Sequence, residues 1–293
     1  MPPEVIQDDV EYARPGGQPL LARIYRPQAA QAEPWPLLVD VHGGAWTYFN
    51  REVDWYFDSA LAADGMVVVA LDFRLAPTRY PAAVADVVAG IRWAKAHAPA
   101  LGARADDAGL IGGSSGGHLL MLAALCPSAP EFSTTPVAGA EGVDARVAYA
   151  MPLWPILDPL ARYRYLLERR RDPTPPRDAL FMPERLIESH EMFFGDEATM
   201  ARASALRVVE AGEAEGLPPI WIAHPELDEN VTLPMTERFV AAYRRAGGEA
   251  ELEVFPGVGH SFANFPGEAA DRCIARMRSF IRRRLKSSRS TVR

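Results

Sequence analysis

Leu110-Ile111-Gly112-Gly113-Ser114-Ser115-Gly116-Gly117-His118-Leu119-Leu120 is the stretch of this 293-residue chain that decides its fold. It predicts the end of a strand, a tight turn and the start of a helix. A serine at the tip of such a turn has a strained backbone, and its neighbours must be small to avoid clashes. The helix expected over 115–126 directs its first N–H groups at Ser114, where they could stabilise an oxyanion.

Glycine-rich turns between strands and helices also bind phosphates, so this turn must be compared with two phosphate-binding patterns. A dinucleotide-binding fingerprint requires a glycine where Ser114 stands. A phosphate-binding loop requires Lys followed by Ser or Thr after the last glycine, where this chain has His118 and Leu119. Neither pattern fits, and a purely structural turn stays open until the rest of the chain is considered.

The composition is typical of a globular protein with a sizeable core, with 48% hydrophobic and 24% charged residues. A net charge of −7 argues against nucleic acid as a partner. The two cysteines, Cys126 and Cys273, form no short-spaced metal-binding pattern, so we expect no metal and no disulfide. Because neither a secretory signal nor a membrane-spanning apolar run is found, we expect a cytoplasmic location.

Apolar runs of strand length alternate with amphipathic stretches along most of the chain. Residues 37–41 and 66–71 are typical of strands buried on both faces, and a helix is expected over 82–98. This alternation predicts an α/β fold with a doubly wound, mostly parallel sheet, in one domain spanning 1–293. The segment at about 160–205 interrupts the alternation, and we interpret it as a helical cap inserted over the strand ends.

The predicted cap carries apolar side chains that either line an acyl or aryl pocket or only pack the cap onto the body of the protein. They are Leu166, Leu167, Phe181, Met182, Met192, Phe193 and Phe194. We further predict pocket walls at Trp46 and Trp154, for which a place in the core is the alternative.

A second glycine motif, His42-Gly43-Gly44-Ala45-Trp46, directly follows the predicted strand at 37–41. Two glycines at this point let the backbone approach a ligand closely, and their amides can stabilise a developing negative charge. Ligands of such sheets bind at the carboxyl ends of the strands, so both glycine motifs can share one site. Asp72 and Arg74, which follow the next strand, are interpreted as an ion pair or a cap that supports the serine turn.

A serine hydroxyl becomes a good nucleophile only when a base takes its proton and a third group orients that base. In the fold that carries this type of turn, the chain order is serine, then an acid, then histidine. This chain offers Ser114, Asp228 and His260 in that order, and both partners follow predicted strands. Glu226 and Glu229 are the alternatives to Asp228 as the acid.

The other five histidines are weaker candidates for the base. His118 lies one turn along the helix and would be carried away from the serine, and His224 precedes the acid. His42 lies in the second glycine motif, which we expect it to anchor through hydrogen bonds. His97 and His190 are expected on helix surfaces.

Four motifs together resemble the α/β-hydrolase fold, most closely its hormone-sensitive-lipase-like and arylformamidase-like carboxylesterase branches. They are His42-Gly43-Gly44-Ala45-Trp46, Asp72-Phe73-Arg74-Leu75-Ala76-Pro77, Gly112-Gly113-Ser114-Ser115-Gly116-Gly117 and Gly259-His260-Ser261-Phe262. The resemblance extends from about Leu20 to Leu285. It departs from the lipase-like branch at Ala45, where that branch has a third glycine, and at Gly113, where it has an acidic residue.

The resemblance implies a cofactor-free serine esterase that acts on small carboxylic esters. Its site would consist of Ser114 as nucleophile, Asp228 as acid and His260 as base, with an oxyanion hole formed by Gly43, Gly44, Ala45 and Ser115. Amide or formamide hydrolysis by the same triad is one alternative, and a small-molecule receptor of the same fold without catalysis is another. A homodimer is compatible with the sequence.

Overall fold

The computed structural model describes residues 4–28, 33–178 and 181–290. Its strands are β1 (Val5–Ala13), β2 (Leu20–Pro27), β3 (Trp35–Val41), β4 (Val67–Leu71), β5 (Ala103–Gly113), β6 (Tyr149–Leu153), β7 (Ile220–Pro225) and β8 (Ala250–Phe255). They form one eight-stranded sheet in the order β1-β2-β4-β3-β5-β6-β7-β8. β1 and β2 pair antiparallel to their neighbours and all the other pairs are parallel, which confirms the predicted mostly parallel α/β sheet.

Helices cover both faces of the sheet. The α-helices of the described residues are α1 (Trp55–Ala63), α2 (Ala82–His97), α3 (Ser115–Leu125), α4 (Pro159–Arg169), α5 (Pro183–Phe194), α6 (Glu197–Arg202), α7 (Ala205–Glu210), α8 (Leu233–Arg245) and α9 (Glu268–Ser290). Side chains of α2, α3 and α8 belong to the core cluster on one face, and those of α1 and α9 belong to the cluster on the other face. None of these helices is both long and apolar enough to cross a bilayer.

The central strands are mostly apolar because each of their faces is covered by helices. In β3, Leu37 and Val39 contact the cluster under α2, α3 and α8, whereas Leu38 contacts the cluster under α1 and α9. A strand packed on both faces carries apolar side chains on both of them, so its sequence does not alternate between apolar and polar residues.

Strand β1 was not predicted from the sequence, because it is an edge strand with several exposed charged side chains. Across the antiparallel pair, Asp9 pairs with Arg23 at 2.9 Å and Asp8 with Arg26 at 3.2 Å. These cross-strand ion pairs replace the alternating apolar pattern by which a strand is normally predicted.

Four helices, α4 to α7, lie between β6 and β7, and we refer to residues 159–210 as the cap segment. Helix α5, Pro183–Phe194, is amphipathic and buries Ile187, His190, Phe193 and Phe194. Helix α4 begins at Pro159, where the Asp158 carboxylate accepts a hydrogen bond from the Ala161 amide at 3.2 Å. The cap segment thus begins after the carboxyl end of β6, next to the turn that ends β5, and leads to β7, which pairs parallel with β6.

Candidate active site

Ser114 lies at the junction of β5 and α3, with φ +54° and ψ −118°. Its amide donates to the Leu153 carbonyl of β6 at 2.9 Å, and its carbonyl accepts from the His118 amide at 3.1 Å. One bond ties the turn to the neighbouring strand and the other begins the helix. The serine is therefore held in the strained conformation that the glycine-rich turn predicts.

Gly116 and Gly43 bring the two glycine motifs into contact. A Cβ atom at Gly116 would lie 1.8 Å from the Val41 carbonyl oxygen, so helix α3 can begin directly over the end of β3 only with glycine here. A Cβ atom at Gly43 would lie 3.2 Å from the Gly113 carbonyl oxygen and 3.5 Å from Ser114 Cβ. The loop after β3 therefore packs directly against the serine turn.

Ser114, His260 and Asp228 form a continuous hydrogen-bonded chain. The distance from His260 Nε2 to Ser114 Oγ is 2.9 Å, and that from His260 Nδ1 to Asp228 Oδ2 is 2.8 Å. The side chain of Asp228 is fully buried and that of His260 is 10% exposed. Because the carboxylate accepts a hydrogen bond from Nδ1–H, the lone pair of Nε2 faces the serine hydroxyl.

The turn that follows β7 holds the Asp228 carboxylate in place. Its Oδ1 atom accepts hydrogen bonds from the amides of Asn230 at 2.7 Å and Val231 at 3.0 Å. Oδ2 is thereby left for His260. Backbone donors satisfy the buried carboxylate in its ionised form, which is the form that orients an imidazole.

The two alternative acids have other partners. The Glu226 carboxylate accepts from the Gly257 amide at 2.8 Å. The Glu229 carboxylate accepts from the amides of Arg177 and Asp178, both in the loop between α4 and α5. Neither glutamate has a hydrogen bond to a histidine among the described residues.

Two contacts position the loop that carries His260. The Asp178 carboxylate accepts from the His260 amide at 2.9 Å. The Trp154 indole meets the His260 ring edge-on, with ring centroids 6.2 Å apart, and it occupies the space beside Gly113. Trp154 is buried, so it lies in the core and packs against the imidazole. The indole fills the space beside Gly113, the position at which the lipase-like branch has an acidic residue.

The loop after β3 presents unused backbone donors beside Ser114. Gly44 and Ala45 have φ values of +110° and +51°. Within the described part of the chain, the amides of Gly44, Ala45 and Ser115 donate no hydrogen bond. The Trp46 amide donates to Ser115 Oγ at 3.3 Å, which fastens the loop to the first residue of α3. Free amides next to a nucleophile can stabilise an oxyanion.

His42 anchors this loop, which is the role expected from the sequence. Its Nδ1 donates to the Gly43 carbonyl at 2.7 Å, and its ring stacks on Phe73 with centroids 4.3 Å apart. Burial lowers the pKa of His42 to about 4, so the ring is neutral at physiological pH.

Trp46 lies in the core beneath the cap segment and not at an open pocket wall. Its indole is fully buried, stacks on Phe193 at a centroid distance of 5.4 Å and meets the edge of Phe194 at 4.9 Å. The indole Nε1 donates to His118 Nδ1 at 3.1 Å, and His118 Nε2 donates to the Ala203 carbonyl. The loop after β3 is thereby joined to the cap segment.

The structure corrects two further expectations. His190 is fully buried because the apolar face of α5 turns it inward with the phenylalanines that follow, so it is not a surface residue. Asp72 and Arg74 do not pair with each other. Asp72 accepts from Arg51 Nη1 at 2.9 Å, and Arg74 pairs with the buried Asp86 at 2.8 Å.

The apolar side chains of the cap segment differ in exposure. Leu166, Phe181, Phe193 and Phe194 are buried, whereas Met182 and Met192 are exposed. The buried members pack the helices together or onto the body. The acyl or aryl pocket predicted for these residues stays a prediction.

The chain matches the α/β-hydrolase-fold family over residues 38–264, and it belongs to that family. Esterase LipC of Mycobacterium tuberculosis is 29% identical over 252 residues, which are 83% of this chain and 57% of LipC. The chain spans about half the length of the curated relatives it matches.

Solved structures of esterases share the fold over almost the whole chain. A bacterial heroin esterase superposes with a TM-score of 0.76 at 26% identity, covering 96% of this chain and 84% of its own. Esterase 2 of Thermogutta terrifontis, phosphonylated by sarin, superposes with a TM-score of 0.73 at 26% identity, covering 96% of both chains. The resemblance to α/β-hydrolase esterases inferred from the motifs is thus confirmed.

Proposed function

We propose that this protein is a serine hydrolase that cleaves small carboxylic esters through Ser114, His260 and Asp228. The observation that carries the proposal is the unbroken chain of hydrogen bonds from Asp228 to His260 to Ser114, at 2.8 and 2.9 Å. A base in contact with the hydroxyl and an acid in contact with the base are what nucleophilic catalysis by serine requires.

The reaction begins when Ser114 Oγ attacks the ester carbonyl carbon and its proton passes to His260 Nε2. The negative charge on the former carbonyl oxygen is stabilised by the amides of Gly44, Ala45 and Ser115. Collapse of this intermediate breaks the bond to the alcohol oxygen, which takes the proton from His260. Water, deprotonated by the same imidazole, then attacks the acyl-enzyme and releases the acid.

The histidine and the oxyanion donors each contribute to the rate of the proposed reaction. General acid–base catalysis by the histidine contributes about 10²- to 10⁴-fold. Each oxyanion donor contributes about 10²- to 10³-fold in kcat. The reaction consumes only ester and water, so the proposal includes no cofactor.

Relatives support an ester as the substrate. LipC and the two similar solved structures are all named esterases. The structure of the Thermogutta enzyme shows it phosphonylated by sarin. An organophosphorus reagent of this type is therefore a suitable test for a reactive serine in the present chain.

Hydrolysis of nitrophenyl esters from acetate to decanoate, beside a formanilide, tests the proposal. We expect the wild type to cleave the shorter esters and Ser114→Ala to lose activity by about 10⁴-fold or more. Ser133→Ala, which changes an exposed serine, is the matched control and should behave as the wild type. A preference for the formanilide would identify an amidase with the same triad, and a wild type inert on every substrate would contradict the proposal.

A further inference from the structure

Arg162, on α4 of the cap segment, is a buried cation, with only 1% of its surface exposed. Burial lowers the pKa of Arg162 to about 10, so the guanidinium is still charged at neutral pH. A buried charge costs several kcal/mol unless partners compensate for it. The surroundings of Arg162 should therefore explain why the charge is there.

The partners of Arg162 belong to the loop of the triad acid. Its Nε donates to the Asn230 carbonyl at 2.8 Å, and its Nη2 donates to Asn230 Oδ1 at 3.4 Å. The Asn230 amide in turn donates to Asp228 Oδ1 at 2.7 Å. The guanidinium thus binds Asn230, whose backbone amide orients the Asp228 carboxylate.

The charge of Arg162 acts on the same carboxylate. The negative charge of Asp228 partly offsets the effect of burial on the pKa of Arg162, so the two groups interact electrostatically. Arg162 Nη1 has no hydrogen-bond partner among the described residues. An arginine kept only for packing would be replaced at little cost by an apolar side chain. An apolar replacement would lack the positive charge that interacts with Asp228.

We propose that Arg162 is a positioning residue of the catalytic triad, supplied by the cap segment. It holds the Asp228 loop through Asn230 and places a positive charge beside the acid. This inference rests on the proposed function, because it assigns Arg162 a part in the same triad.

The charge predicts a change in the pH profile. A cation next to the Asp228–His260 pair opposes the binding of a further proton there, so its removal should move the loss of activity at acid pH to higher pH. Among the described residues, the other charged or titratable groups near the pair are His224 of β7, Glu229 beside the acid, and Tyr165, Arg169 and Asp178 from the cap segment. All of them stay in place in the variants below.

The test compares Arg162→Gln and Arg162→Lys with Arg164→Gln, a control on the same helix. Arg164 is exposed, and among the residues that the structure describes its ion-pair partner is Glu197 at the surface. Against a nitrophenyl ester we expect Arg162→Gln to lose about 10- to 100-fold in kcat with KM changed less than about threefold. The acid limb of its pH–activity profile, where activity is lost at low pH, should move to higher pH by about half a unit. Arg162→Lys should keep the acid limb of the wild type and lose only part of kcat, and Arg164→Gln should match the wild type.

Two results would overturn the inference. One is an Arg162→Gln enzyme with the kcat of the control. The other is an Arg162→Gln enzyme that loses kcat while its acid limb stays where the wild type has it, which would indicate a structural role alone. If Arg162→Gln does not fold, Arg162→Lys is compared with Arg164→Lys, and equal kcat values overturn the inference. Ser114→Ala, measured in parallel, distinguishes failure of this inference from failure of the proposed function. An active Ser114→Ala contradicts the proposed function, whatever the Arg162 variants do.

Discussion

Ser114 keeps a backbone conformation that costs a side-chain-bearing residue about 1–3 kcal/mol. The conformation persists because hydrogen bonds surround it. Besides the bonds to Leu153 and His118, the Ser114 carbonyl accepts from the Ile156 amide at 3.2 Å. The strain has a use, since it aims the hydroxyl at His260 while the amide of the next residue stays free for an oxyanion.

This strain predicts an order of stability between two inactive variants. Ser114→Gly should be more stable than Ser114→Ala by about 1 kcal/mol, because glycine adopts a positive φ without a steric penalty. Urea unfolding of the two proteins measures the difference. A Ser114→Ala protein as stable as Ser114→Gly would show that the turn is not strained.

At the scale of elements, the loop between α4 and α5 joins the two loops that carry the acid and the base. Glu229, next to the acid, accepts from the amides of Arg177 and Asp178. The Asp178 carboxylate accepts from the amide of His260. The cap segment therefore contacts both loops, and we propose that it helps to align the candidate triad.

Removal of one of these contacts should affect turnover more than substrate binding. We expect Asp178→Ala to lower kcat about tenfold with a smaller change in KM, because the His260 loop loses an acceptor for its amide. Asp172→Ala is the control, since Asp172 is exposed in the same loop and bonds locally to the Thr174 amide at 2.9 Å. Steady-state kinetics on a nitrophenyl ester measures both variants. Equal kcat values for the two would argue against the alignment role.

The sequence predicts those elements that carry a strong local pattern. The buried strands, the serine turn and α5 follow from apolar runs, glycines and helical periodicity. Edge strand β1 could not be predicted in this way, because it depends on ion pairs with β2 that are distant in sequence.

The candidate triad could be proposed from chain order and from the turns in which its members lie. The partners of Arg162 and Asp178 could not, because both side chains reach their targets only after the cap segment folds over the sheet. Trp46 is a similar case. Its position after two glycines favoured a place at the site, but the phenylalanines of α5 enclose it.

At the scale of the whole molecule, three buried aspartates of β3 and α1 lie close enough to interact electrostatically. Asp40 of β3, Asp54 before α1 and Asp58 within α1 are almost fully buried. The Asn264 amide donates to Asp54 Oδ1 at 2.6 Å, whereas both carboxyl oxygens of Asp40 and of Asp58 lack partners among the described residues. Burial raises the pKa of Asp54 to about 7 and those of Asp40 and Asp58 well above their usual range.

These shifts predict that stability falls as pH rises. Unfolded aspartates release their protons near pH 4, whereas the folded protein keeps these protons to about pH 7 or beyond. Over that window the unfolded chain binds fewer protons, so unfolding becomes easier by about 1.4 kcal/mol per pH unit for each such group. The contribution of these carboxyls is fully present below about pH 4 and is lost as the pH rises from there to about 7.

Asp58→Asn should therefore stabilise the protein at pH 8, because the amide needs no proton to stay neutral. Its advantage over the wild type should shrink as the pH approaches 4. Asp106→Asn, at an exposed position, is the control and should show no such trend. Thermal unfolding between pH 4 and 8 measures the effect. An advantage of Asp58→Asn that did not change with pH would contradict the interpretation of the buried carboxyls.

The central claim is that Ser114 is a nucleophile activated by His260, and labelling with a fluorophosphonate followed by peptide mass spectrometry tests it most directly. We predict one adduct on the wild type, located on Ser114. Ser114→Ala should give no adduct, and His260→Ala should react much more slowly. An adduct on a different residue, no adduct on the folded wild type, or equal labelling of His260→Ala would contradict the claim.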